Sequence, residues 1–272
     1  MIKDIVVKLS PSSSDHAGAY AISLAVAVEA HVTAIAFAYE PEILPDPSGI
    51  GSRRFMRVRE ENEQAASAAA AAFEKQASDA GVAARARAVT STISAGYDLF
   101  GSIARRFDLA IVGQDDPENE QSEGLIAEGA LFESGRPLIM VPYIHKEGFK
   151  LDRVMVCWDG GRPAARAVAD AMPLLRRARQ VDIVIVEKAK SDEMPGADVA
   201  AHLARHDVKI AVQRVAPGDL DVKDALLNYA ADSAADMIVM GGYGHSRMRE
   251  FILGGVTRGM LASMTVPTLL SH

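Results

Sequence analysis

The residues best suited to chemistry form a glycine-rich segment, Gly241-Gly242-Tyr243-Gly244-His245-Ser246-Arg247-Met248-Arg249-Glu250, which runs on through Phe251-Ile252-Leu253 to Gly254-Gly255-Val256-Thr257. It follows an apolar run at 237–240 and leads into a helix-like run at 258–263. Glycine lets backbone N–H groups approach an anion with no Cβ in the way. The N–H groups that open a helix are phosphate donors. Arg247, Arg249 and His245 stand against Glu250, so the local charge also suits an anion. The chemistry would be phosphate or nucleotide binding, and Ser246 would be a loop hydroxyl or a phosphorylation site. The same glycines serve equally well as a structural turn. The segment is not a G-x4-G-K-[ST] loop. Nor is it a dinucleotide fingerprint, which follows the first strand of its unit and not the fourth.

Other chemistry-bearing residues read as structural. His202 and His206 are four apart on a helix-like stretch, a zinc-compatible spacing, but no third ligand or HExxH accompanies them. Cys157 lies in an apolar run, where cysteine acts as a small hydrophobe. Trp158 beside it is expected to pack, and Ser12, Ser13 and Ser14 to form a helix N-cap region. Arg53, Arg54, Arg57 and Arg59 have Glu60, Glu61 and Glu63 as partners, which points to a solvated helix start after a proline- and glycine-rich insertion at 40–59.

The elements that would position the glycine loop recur twice. β-Branched runs fall at 2–9, 32–38, 84–89, 109–112 and 138–141, and again at 153–157, 181–186, 209–215, 237–240 and 268–270. Helix-like stretches separate them, at 15–30, 60–79 and 95–106, then at 162–178, 197–206 and 222–234. Near-continuous apolar strands alternating with helices predict a parallel sheet covered on both faces. An aspartate precedes a buried strand in both halves, Asp108 and Asp236, and a proline precedes the last strand in both, Pro137 and Pro267. The pattern reads as a tandem duplication: an α/β domain at 1–145, a linker at 142–152 and a second domain at 151–272. The glycine loop then lies at the C-terminal edge of a doubly wound sheet, where ligands bind.

Composition narrows the class. The 272 residues are 49% apolar and 24% charged, the profile of a globular protein. A net charge of −7 argues against broad adhesion to nucleic acid or anionic lipid. One cysteine excludes an internal disulfide. The N-terminus runs straight into a strand without a signal-peptide pattern, and no apolar stretch reaches bilayer length, so a cytoplasmic location without membrane attachment is expected.

The spacing Gly241-x2-Gly244-x9-Gly254, followed by Val256-Thr257, resembles the signature of the universal stress protein family, and the resemblance extends to the element order of both halves. It implies two tandem, doubly wound, five-stranded parallel-sheet domains of the Rossmann-like, adenine nucleotide alpha hydrolase-like class. It also implies pairing through the last strand, made within one chain as a pseudo-dimer or repeated in a homodimer. Its ATP-binding branch implies an adenine nucleotide, ATP with or without Mg. Asp159 would lie on the adenine side and Val186 would offer its backbone to the ring. Met240, Gly241, Gly244 and Gly254 match the signature, with His245 and Ser246 in its loop and Val256 and Thr257 at its helix entry. Gly255 departs from the family's serine or threonine, so a hydroxyl is lost while the backbone N–H remains.

The corresponding first-half loop keeps the leading Gly113 but carries Asp115, Asp116, Glu118, Glu120 and Glu123, which oppose a polyphosphate. Its first strand ends in Ser10-Pro11 without the matching aspartate, and Asp15 comes too late. The expectation is an ATP-binding stress-response or signalling module with one site, in the C-terminal half, an unknown protein partner and at most slow hydrolysis. Alternatives are a scaffold that binds no nucleotide, a slow ATPase, or an adenylating or electron-transfer enzyme on a similar sheet. The adenylating branch needs a serine-bearing loop that Asp159-Gly160-Gly161 does not supply.

Overall fold

The computed structural model describes residues 1–11, 15–40, 50–117, 123–186, 196–242 and 255–272, without the side chains of 50–53. It divides into two compact units: residues 2–136 with 146–148, and residues 137–145 and 149–272 with Met1.

The first unit contains β1 (Asp4–Leu9), α1 (His16–Val28), β2 (His31–Tyr39), α2 (Ile50–Asp79), β3 (Ala84–Ser91), α3 (Ile93–Ala104), β4 (Leu109–Gly113) and α4 (Glu123–Glu133). Its strands lie in the order β3-β2-β1-β4 and are all parallel, with Ile5 opposite both Val32 and Leu109. β1 and β4 are almost wholly buried, as strands covered by helices on both faces must be. The N-cap of α1 is Asp15, whose side chain accepts from Gly18 N; Ser12, Ser13 and Ser14 lie outside the described residues.

Two helices differ from expectation. α2 starts at Ile50 and not at 60, because the arginine segment is itself helical. Arg57–Glu61 and Arg59–Glu63 pair one turn apart, and Asn62 donates to the Tyr39 carbonyl at 2.7 Å. α4 was not foreseen. Gly124 and Gly129 lower its helix propensity, and packing against α3 supplies what propensity lacks.

The second unit contains β5 (Leu138–Val141), β6 (Arg153–Cys157), α5 (Arg162–Leu175), β7 (Gln180–Val186), α6 (Ala197–Ala204), β8 (Ile210–Val215), α7 (Val222–Asp232), β9 (Met237–Gly241), α8 (Gly255–Ser263) and β10 (Thr268–Ser271). Its order is β5-β10-β9-β6-β7-β8. All neighbours are parallel except β5 and β10, which run antiparallel with Ile139 opposite Leu269. The fold class is as expected: α/β, with mostly parallel strands.

The paired aspartates have a physical reason. Asp108 Oδ2 accepts from the amides of Lys3 (2.8 Å) and Asp4 (3.1 Å), and Asp236 Oδ2 accepts from Arg153 N at 2.8 Å. Each closes the open end of its unit's central strand. No helix of the described residues is long and apolar enough to cross a membrane.

Candidate functional site

In the second unit β6 leads through α5 to β7 on one side, while β9 leads through α8 to β10 on the other. The C-terminal ends of β6 and β9 therefore flank the switch point of the sheet, where an open α/β sheet leaves its crevice.

Beyond β6, Trp158 N donates to Val184 O at 2.9 Å and keeps the chain in register with β7. Asp159 is exposed, and its Oδ1 accepts from Gly161 N at 2.8 Å across a tight turn. Gly160 holds φ at +75°, the left-handed region that favours glycine. Gly161 then caps α5 without any side-chain hydrogen bond to the first turn. An uncapped helix N-terminus keeps its partial positive charge available.

Gly241 ends β9 against that helix. A Cβ there would lie 2.5 Å from Ala164 N and 2.5 Å from the Pro163 carbonyl carbon. The missing side chain of Gly241 is thus consumed by close packing on α5. Met240 is buried opposite Leu270, and Gly242 N donates to Ser271 O at 2.8 Å. Val186, half-buried, ends β7 on the same edge. In the first turn of α8, Thr257 is buried and Val256 is exposed, and Gly255 is the helix's first residue. The structure gathers Asp159, Val186, Met240 and Gly241 at one sheet edge, with Gly255, Val256 and Thr257 opening the helix that returns from it. Gly244, His245, Ser246 and Gly254 lie outside the described residues.

Residues 150–272 match the model described as the universal stress protein family. This half of the chain is a universal stress protein domain. Universal stress protein Slr1230 of Synechocystis is 23% identical over 179 residues, covering 63% of this chain. The match spans 60% of the length of that curated relative. Two solved structures share the fold across both halves. A universal stress protein from Archaeoglobus fulgidus has a TM-score of 0.66 and 14% identity, covering 98% of this chain and 95% of its own. A putative universal stress protein from Pseudomonas aeruginosa has a TM-score of 0.62 and 12% identity, covering 99% and 93%.

Relative to this universal stress protein half, the first unit departs at the same edge. Asp4 and Arg153 hold their aspartates alike, so Lys8 stands where Cys157 stands and Ser10 where Asp159 stands. Lys8 is 2% exposed and pairs with Glu123 at the start of α4, with the Tyr39 ring centroid 6.0 Å away. Burial pushes the Glu123 carboxyl above its usual range; Lys8 opposes the shift, while Asp115 and Asp15 add to it. Burial likewise raises Asp15, against hydrogen bonds from the Gly18 and Ser10 amides and the charge of Lys8. Sequence reasoning missed this cluster, although a lysine inside Ile5-Val6-Val7-Lys8-Leu9 was its signal. It also missed buried Asp182, which accepts from Arg153 Nη1 (2.7 Å), Gln180 Nε2 (3.2 Å) and Tyr229 Oη (3.1 Å). That network ties β6, β7 and α7 together.

His202 and His206 are exposed with ring centroids 4.8 Å apart. No group of three or more metal-ligating side chains occurs among the described residues. Burial, and secondarily Asp159, push the Cys157 thiol up to about 12 from 9.0. Three pH units mean about 1000-fold less thiolate at neutral pH, so alkylation of the native protein should be about 1000-fold slower than of the unfolded chain. Iodoacetamide labelling with and without urea at pH 8 measures the ratio, and equal rates would refute it. Above pH 9 the unfolded chain loses this proton first, so Cys157 also makes stability fall as pH rises from 9 towards 12.

Proposed function

We propose that the second half binds an adenine nucleotide, ATP with or without Mg, in the crevice between β6 and β9, and that occupancy alters affinity for a protein partner. One observation carries the reading: α5 opens without a side-chain cap onto a switch-point crevice whose loop carries the Gly241-x2-Gly244-x9-Gly254 spacing. Asp159 and Val186 serve the adenine side. The loop glycines, His245 and Ser246 serve the phosphates, and the amides of Gly255, Val256 and Thr257 complete the anion cradle. Loss of the hydroxyl at Gly255 lowers affinity without changing the mode of binding. The tandem origin of the two halves, their pairing as a pseudo-dimer and a cytoplasmic setting complete the proposal.

Mass spectrometry of small molecules released from freshly purified protein should show an adenine nucleotide, and titration calorimetry with ATP should show one site. Gly244→Glu should abolish the heat, and Asp116→Lys should leave it unchanged. No released nucleotide and no heat would overturn the reading. A change of stoichiometry with Asp116→Lys would overturn its restriction to the second half.

A further inference from the structure

At the ends of β1 and β4 the described residues of the first unit bring the carboxyl groups of Asp15, Asp115 and Glu123 close together. Asp115 Oδ1 accepts from Glu123 N at 2.8 Å and its Oδ2 from Gly124 N at 3.0 Å. A carboxylate bridging two adjacent amides at the start of a helix sits where an oxyanion would. Its approach needs a glycine at 124, since a Cβ there would lie 2.7 Å from Asp115 Oδ2. The second helix at this edge is closed in the same way, Asp15 Oδ1 accepting from Gly18 N at 3.1 Å. Beneath them Lys8 is committed to Glu123, whose other oxygen, Oε2, is buried with no hydrogen-bond partner. The helix corresponding to α1 in the second unit, α5, carries no such cap.

We propose that Asp115 is the specificity determinant of this edge: an internal substitute for a phosphoryl group that denies the first half to phosphate-bearing ligands. The assignment rests on first-unit geometry alone. It is tested with the full chain carrying Gly244→Glu, so that ligand binding in the second half cannot contribute. Near pH 6, inorganic phosphate is largely monoanionic and the raised Glu123 and Asp15 carboxyls are easiest to protonate. Under these conditions Asp115→Ala should gain a phosphate-dependent rise in Tm of about 3 °C. Hydrogen exchange at the Glu123 and Gly124 amides should slow about tenfold when phosphate is added, which corresponds to a tenfold shift in the opening equilibrium. The parent and Asp115→Asn, which keeps an oxygen in the cradle, should show neither effect. An Asp115→Ala chain indifferent to phosphate overturns the proposal, as does one that folds in neither condition, since the cradle then accepts no anion but its own. Phosphate protection of these amides in the parent would also overturn it. Loss of ATP binding from the Gly244 site leaves the Asp115 result untouched, so the two readings fail separately.

Discussion

Gly129→Ala is expected to destabilise the first unit by about 2–4 kcal/mol, although alanine is the better helix former. Propensity favours the change by about 1 kcal/mol. Against it stands a backbone contact: a Cβ on Gly129 would lie 3.0 Å from the Tyr97 carbonyl carbon and closer still to its oxygen. The facing residue, Gly101, would place its own Cβ 2.6 Å from Gly129 O. α3 and α4 thus touch main chain to main chain, and no rotamer change can relieve the added methyl. Overpacking a tight core costs about 1–3 kcal/mol where side chains can adjust, and more where only backbone can move. Gly81→Ala is the control. Gly81 is left-handed at φ +72° with nothing near its missing Cβ, so it should cost only about 1 kcal/mol. Urea unfolding of both variants decides the matter, and equal losses would mean that the α3–α4 contact is not the constraint.

Lys8→Met should cost about 3–5 kcal/mol at pH 7, the usual penalty for stranding one partner of a buried ion pair. The double variant Lys8→Met with Glu123→Leu should return to within about 1 kcal/mol of the parent, because paired apolar side chains need no counter-charge. The pH dependence has a definite sign. The native Glu123 carboxyl is raised above its unfolded value of 4.5, so the folded state binds more protons than the unfolded state over the window just above that value. Stability therefore falls as pH rises through that window. Removing Lys8 takes away both influences that hold this shift back, its charge and its hydrogen bond, so the penalty in Lys8→Met should shrink on acidification towards pH 5. A penalty independent of pH, or a double variant as weak as the single one, would place the energy elsewhere than in the charge pair.

The strands were the most legible part of the fold. The β-branched runs of β1, β7 and β9 are buried on both faces, and that burial selects the residue types directly, whereas the outer strands β3 and β8 are only partly buried. The start of α2 was not legible, because Pro45, Pro47 and Gly49 read as a loop that should continue, whereas the Arg57–Glu61 and Arg59–Glu63 pairs hold the charged segment helical. α4 was hidden for the opposite reason: Gly129, which weakens an isolated helix, is required by its contact with α3. At the candidate site Gly241 stood out by the glycine spacing after β9, and Asp159 only through the family resemblance. The constraint on Gly241 did not, because it arises from Pro163 and Ala164 on another element. The acidic first-half loop was visible as charge, but the particular role of Asp115 depends on amides eight and nine residues further on, a closure that sequence spacing does not encode.

The placement of β5 bears on whether the halves could ever have parted company. Leu138–Val141 is encoded with the first half yet pairs with β10 inside the second unit. Gene fission within residues 142–149 would send that strand away with the wrong product. The C-terminal product would keep all of residues 150–272 but display Thr268–Ser271 as a bare hydrogen-bonding edge, open to whatever strand comes next. The chain between the halves is thus more than a tether. It delivers a strand that the downstream gene segment does not code for, which would oppose separation of the two halves into independent genes.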